Sequence, residues 1–231
     1  FLMDIKLLVF GILIIAFVFA FLKIYFADKK NTKYKITTKS IVRVGVFGAI
    51  AAVLYIFVKF PVPILPSFLE FHFDEVPVFI ASFAYGPISG VCVLVIKTLI
   101  KLPFSTTLGV GELSDLIYSA AFILPAAILY KKHRNFSGVL IGLFIGLVVE
   151  IAISLFANIY IMIPFYMNMM GFSEEALLKA CQLANPAITD LRWGYGLFAV
   201  LPFNAIKDIA VIVLTIATYK STHRFIDKLQ N

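Results

Sequence analysis

Apolar residues run through this chain in stretches long enough to cross a bilayer, and most of the charges collect between them. Over residues 5–26 the only charged side chains are Lys6 and Lys23, near the two ends. A cleaved signal peptide has a shorter apolar core and a small-residue cleavage site, so this stretch reads as an uncleaved helix. The next run, about 41–60, stops at Phe60-Pro61-Val62-Pro63, where two prolines prevent a helix from continuing. A loop with Glu70, His72, Asp74 and Glu75 follows, and then a shorter run over 76–85 that ends at Gly86-Pro87. Further runs cover 88–102, which carries Lys97 and Lys101, then 113–130, 138–164 and 202–219. Each span needs about 20 apolar residues. The pattern therefore predicts an all-α integral membrane protein of about seven transmembrane helices, with almost no soluble domain. No internal repeat or low-complexity tract interrupts it.

Composition agrees. Residues of the set AVILMFWYC make up 61% of the 231 positions and charged residues 14%, with a mean hydropathy of +0.99. A soluble domain is nearer 45–50% apolar and about 25% charged. The net charge of +7 would suggest nucleic acid in a soluble protein, but the basic residues sit in short inter-helix loops, and no nucleic-acid partner is expected. Lys29, Lys30, Lys33, Lys35 and Lys39 follow the first span; Lys131, Lys132 and Arg134 lie between the fifth and sixth; Lys220, Arg224 and Lys228 close the chain. All three clusters fall on one side of a seven-span topology, and the opposite loops, 61–75, 102–111 and 165–192, are poorer in Lys and Arg. The positive-inside rule then puts the N-terminus outside and the C-terminus in the cytoplasm. Cys92 and Cys181 are far apart, without metal or redox spacing.

Polar side chains inside spans are costly and face a cavity, a partner or a substrate. Here they are Lys97, Glu112, Asp115, Glu150, Asn158, Asn204, Lys207 and Asp208. In Leu201-Pro202-Phe203-Asn204-Ala205-Ile206-Lys207, Pro202 fits the first helical position, which would place Asn204 and Lys207 on one face of the opening turns. An amide beside an ammonium suits a planar heterocycle with imide-like edges. The competing reading has Lys207 snorkelling to the interface and pairing with Asp208 while Asn204 caps the helix. Asn158 lies late in the preceding span, as a pocket group or as interhelical glue. Glu112 and Asp115, three apart at a helix start, suit the helix dipole. Nothing completes a catalytic set: there is no P-loop, no His-Glu-x-x-His and no Gly-x-Ser-x-Gly. His72, His133 and His223 are scattered and make no metal set. No enzyme activity, metal or cofactor is expected, and energy for uphill transport must come from another subunit or an ion.

The stretch from Phe60-Pro61-Val62-Pro63 through Leu69-Glu70-Phe71-His72-Phe73-Asp74-Glu75-Val76-Pro77 resembles the first external loop of the S components of energy-coupling-factor (ECF) vitamin transporters, more narrowly the riboflavin-binding members. Ala84-Tyr85-Gly86-Pro87-Ile88-Ser89-Gly90, Gly109 to Asp115, the surroundings of Asn158, and Leu201 to Lys207 follow in the family's order, so the resemblance covers about residues 40–220. It implies a substrate-capture subunit for riboflavin, or for FMN and related flavins. Asn158, Asn204 and Lys207 would contact the flavin, Glu112 would match a family acid, and Leu69 and Phe71 would belong to a lid. The implied partners are a transmembrane coupling protein and two cytoplasmic ATPases, in a bacterial plasma membrane. Docking would use a small-residue face on the first core helix, Gly45, Gly48, Ala49 and Ala52, although such patterns also serve internal packing. The implied organisation is an extra N-terminal transmembrane helix (1–30), a basic cytoplasmic linker (31–40), a six-helix substrate-binding domain (41–220) and a basic cytoplasmic tail (221–231). Asp115 stands where riboflavin binders tend to have Asn, and Asp208 where a small residue is common. The external insert, residues 174–192, is longer than in the shorter members. Alternatives are an S component for thiamine, pyridoxine, folate or pantothenate, and an ion-coupled transporter, for which internal repeats are lacking.

Overall fold

The computed structural model describes residues 37–63, 65–66 and 69–230, with side chains placed through Ser221. The span over 5–26 and the lysines from Lys29 to Lys35 lie outside the described residues, as do the side chains of Arg224 and Lys228.

Helix α1 (Thr38–Phe57) opens with a capping box. Thr37 Oγ1 accepts the Ser40 N–H, and Ser40 Oγ accepts the Thr37 N–H. It ends three residues before the expected stop at 60. The segment before the prolines is already extended, and strand β1 (Lys59–Pro61) pairs antiparallel with β2 (Glu70–His72), Phe60 opposite Phe71. The expected loop is thus in part a hairpin, tied by Lys59 Nζ donating to Glu70 Oε1 at 2.6 Å.

The short apolar run becomes α2 (Glu75–Tyr85). Eleven residues rise only about 16 Å, too little to cross the hydrocarbon. Nearly all of α2 is buried, so it is core rather than a lipid-facing span. Gly86, at φ +94°, turns the chain into α3 (Pro87–Lys101), with Pro87 in the first turn. After a 3₁₀ turn (Leu102–Phe104), α4 (Val110–Lys132) leads to α5 (Phe136–Ala157). A π-helical turn (Asn158–Met162) carries α5 into α6 (Ile163–Asn168), making one apolar rod of 33 residues. The insert over residues 174–192 contains an amphipathic helix, α7 (Glu174–Ala184), capped by Ser173 and pinned by the buried Leu177 and Cys181. Then α8 (Trp193–Tyr195), a second π-helical turn (Gly196–Val200) and α9 (Leu201–Gln230) run on continuously. Pro202 is therefore not where the rod begins: helix starts at Trp193, and Asn204 and Lys207 lie several turns in. Among the described residues, five helical rods are long and apolar enough to span a membrane, and α2 is a sixth, shorter apolar helix.

Two cores hold the bundle. In the larger, α2 sits among its neighbours, with Phe79 edge-on to Phe122 at 4.8 Å and Tyr130 edge-on to Tyr219 at 5.7 Å. In the smaller, Phe71, Cys181, Ile188, Tyr195 and Phe203 join the hairpin and α7 to α9. Helices α4 and α5 pack closely along Gly142 and Gly146, and Gly138 sits against the His133 carbonyl in the turn that joins them. A Cβ on Gly142 would lie 2.7 Å from Ala126 Cα, and one on Gly146 would strike the Phe122 carbonyl. Where lipid removes the hydrophobic drive for helix association, backbone contact of this kind supplies packing energy. The outer faces stay apolar: Val46, Val53 and Phe57 on α1 and Phe144 and Val148 on α5 are more than half exposed, as a lipid-facing surface requires.

Candidate functional site

At the end of the bundle formed by the C-termini of α1 and α3 and the start of α4 lies a cleft of about 210 Å³. The hairpin, the π-helical turn after α5 and the opening of α9 complete its wall. Tyr55, Tyr118, Tyr166 and Phe203 supply aromatic surface, while Asn158, Asn204 and Lys207 supply amides and an ammonium. The basic residues Lys131, Lys132, Arg134 and Lys220 belong to the opposite helix ends.

Lys207 does not snorkel. It is 3% exposed, its Nζ donates to Glu75 Oε1 at 3.0 Å, and Asp208 Oδ1 stands farther off at 3.9 Å. Its main partner therefore comes from α2, from an acid that the sequence left in a loop. Asn204 does not cap the helix either. Its Nδ2 donates across to Ser154 Oγ at 2.9 Å and back to the Val200 carbonyl at 3.1 Å, which leaves the amide oxygen for the cleft among the described residues. Asn158 donates to the Ser154 carbonyl at 2.9 Å and accepts from the Tyr195 hydroxyl at 3.4 Å, so it joins α5 to α8 while lining the cleft. The two π-helical turns bracket these amides, and such turns favour functional sites because they widen the helix and re-aim side chains.

Glu112 lines the cleft and also ties the preceding loop. Ser105 Oγ donates to its Oε2 at 2.6 Å and Thr107 Oγ1 at 3.2 Å. Leu69 lines the cleft from the hairpin. Phe71, its expected companion, does not. It sits in β2 between Glu70 and His72, which line the cleft, so strand alternation turns it to the other face, where it is buried edge-on to Phe73 at 5.2 Å and to Phe203 at 6.3 Å. It supports the wall without forming it. The four small residues of α1 divide similarly. A Cβ on Gly48 would lie 2.5 Å from Ile96 Cγ2, so Gly48 faces α3, and Ala52 is buried within the bundle. Ala49 is exposed, and Gly45 has open space where a Cβ would be.

A second polar group escaped the sequence reading as an assembly. Buried Lys97 is paired with Asp74, which also binds His72, and it reaches Asp115 Oδ2 at 2.9 Å and Ser119 Oγ at 3.4 Å. Its ammonium lies 4.8 Å from the Tyr55 ring centroid. Ser119 donates in turn to Glu75 Oε1 at 2.8 Å, joining this group to Lys207. The signal was present: a lysine in a span demands a counter-charge. Its partners, 23 and 18 residues away, could be identified only by folding. Asp115, noted as unusual, is thus a counter-ion of Lys97, and Lys101 lies buried over the same Tyr55 ring at 5.4 Å.

A bundle of apolar rods that encloses a polar, aromatic-lined cleft at one end defines a membrane-embedded protein for binding a small molecule. The family described as "ECF transporter, substrate-specific component" matches residues 39–219, and the chain belongs to that family. It is 29% identical over 191 residues to "Riboflavin transporter RibU" of Staphylococcus aureus (strain TCH60), covering 83% of this chain and 94% of that protein. It is 31% identical over 180 residues to "Riboflavin transporter FmnP" of Bacillus subtilis (strain 168), covering 76% and 87%. Its fold is that of the solved S component of a bacterial ECF transporter, with a TM-score of 0.64 at 28% identity over 81% of this chain and 97% of that one.

Proposed function

We propose that this chain captures riboflavin, or a closely related flavin, at the outer face of the membrane and delivers it inward as the S component of an ECF transporter. The observation that carries the reading is the convergence of Asn158, Asn204 and Lys207, from two rods, on one aromatic-lined cleft. An isoalloxazine ring is flat and mostly apolar, with carbonyl and imide groups along one edge. Tyr118, Tyr166 and Phe203 offer surface against its faces. Amide oxygens accept from its N–H, while the Lys207 ammonium donates to a carbonyl. The names of the two relatives supply the substrate class.

The basic helix ends opposite the cleft support a cytoplasmic assignment for that side and an outward-facing cleft. The hairpin with Leu69 serves as the lid, and Phe71 acts through Phe203. Glu112 holds the loop over 105–109 at the cleft's rim. Docking on a transmembrane coupling protein uses the outward part of the small-residue stripe, Gly45 and Ala49, and cytoplasmic ATPases provide the energy for reorientation and release. Purified protein incubated with riboflavin tests the capture step: quenching of flavin fluorescence with a stoichiometry near one supports it. A different vitamin in the mass spectrum of co-purified ligand would replace the substrate and keep the family.

A further inference from the structure

The cleft network has more acid than base on its inner side. Glu75, Glu150 and Asp208 are each 0% exposed, and Lys207 is the ammonium that Glu75 and Asp208 share. Lys207 is committed to Glu75 at 3.0 Å and reaches Asp208 only at 3.9 Å. Glu150 on α5 and Asp208 on α9 lie one turn beyond the Ser154–Asn204 contact, on the same faces of two antiparallel rods, which sets the two carboxyl groups side by side. No N–H or O–H of another described residue comes within hydrogen-bonding distance of any of their four oxygens. Two ionised carboxylates in contact, without donors and away from water, repel each other and lose their hydration. One proton between them turns the same contact into a carboxyl donating to a carboxylate and removes one of the two uncompensated negative charges.

We propose that Glu150 and Asp208 form a proton-binding dyad in the membrane core, one helical position from the lysine that lines the cleft. The proton belongs to the pair rather than to either residue. The charged and titratable groups around the dyad set when it lets go: Lys207 on α9, Glu75 from α2 on that lysine, the buried Tyr118 hydroxyl of α4, and, joined to Glu75 through Ser119, Lys97 from α3 with Asp115 from α4. With the proton bound, Lys207 stays on Glu75 and keeps its place in the cleft. When the proton leaves, Asp208 competes for the ammonium and draws it inward. Proton occupancy is thereby linked to the position of a charged donor that lines the cleft. The proton site itself is independent of which ligand the cleft takes.

Infrared difference spectroscopy of the full chain in bilayers, in H₂O and D₂O, reads the dyad directly and needs no ligand. The wild type is expected to show the C=O stretch of a protonated carboxylic acid at neutral pH, shifted by D₂O and lost on alkaline titration. Glu150→Gln and Asp208→Asn should each remove it, because the new amide supplies a donor and the remaining acid ionises. Absence of the band in the wild type from mildly acidic to neutral pH would overturn the proposal. So would its persistence in both variants, or its loss on adding sodium at constant pH, which would make the pair a cation site. The wild-type titration decides the matter even if a variant fails to fold.

Discussion

Lys207 Nζ and Glu75 Oε1 meet at 3.0 Å although the two residues are 132 positions apart, so the last rod is locked to the short buried helix by an ion pair in the bundle core. The pair stands at the edge of the cleft, where it fixes an ammonium that lines it. On the proposed reading, ligand recognition and fold stability share one charge.

Lys207→Ala removes a ligand donor and strands Glu75. Flavin affinity should fall by more than about tenfold, equivalent to about 1.4 kcal/mol, whereas Lys131→Ala at the far end of the bundle should change it less than about twofold. Fluorescence-quenching titrations of both variants measure this, and equal effects would remove Lys207 from the site.

Breaking a buried pair on one side costs about 3–5 kcal/mol, whereas replacing both partners by apolar groups of similar volume is much milder. Glu75→Leu and Lys207→Met should each lower the thermal midpoint in detergent, and the double variant should recover much of the loss. A double variant as unstable as the sum of the two singles would show that the pair does not couple α2 to α9.

Gly146→Leu should destabilise the protein by at least about 1–3 kcal/mol, because the added side chain meets the Phe122 backbone. Gly45→Leu meets nothing within 4 Å, so folding and flavin binding should be preserved. Uptake in cells should nevertheless drop, because the added bulk sits on the face assigned to the coupling protein. Normal uptake by a normally expressed Gly45→Leu protein would free that face of the role.

Cys181 lies among Leu177, Ile188 and Tyr195 in the smaller core, and burial pushes its thiol up to about 11. The thiolate is the reactive species, so a maleimide at mildly alkaline pH should leave Cys181 unmodified in the folded protein. Unfolding restores both access and an ordinary thiol, and labelling should then be complete by mass spectrometry. Rapid labelling of the native protein would mean that α7 does not stay seated.

How much of this was legible beforehand depends on the range of the interaction. Hydrophobic runs located the five long spans well, because span length is a property of contiguous residues. Helix ends were less legible. The start at Trp193 was hidden because Gly194 and Gly196 dilute the apolar signal, and because Pro202 mimics an N-terminal proline although it lies inside a continuous rod. The hairpin was missed because its two strands have three residues each, too few to display alternation. Among site residues, Asn158, Asn204, Lys207, Glu112 and Leu69 do line one cleft. Phe71 faces away, since in β2 it alternates with Glu70 and His72, which line the cleft. The glycine seam of α5 went unnoticed while the similar pattern on α1 drew attention, and no local feature tells an internal seam from an external one. The partners of Lys97 and Lys207 were beyond sequence for the same reason: a buried charge announces that it needs a partner, and only the fold supplies the partner's identity.

The most direct measurement is the visible absorbance spectrum of the full-length protein, purified from flavin-containing medium or after adding riboflavin and removing the excess. A bound flavin chromophore near one per chain, much reduced in Lys207→Ala, is the expected result. A colourless protein that leaves riboflavin fluorescence unquenched at micromolar concentration would contradict the flavin assignment and leave only the family.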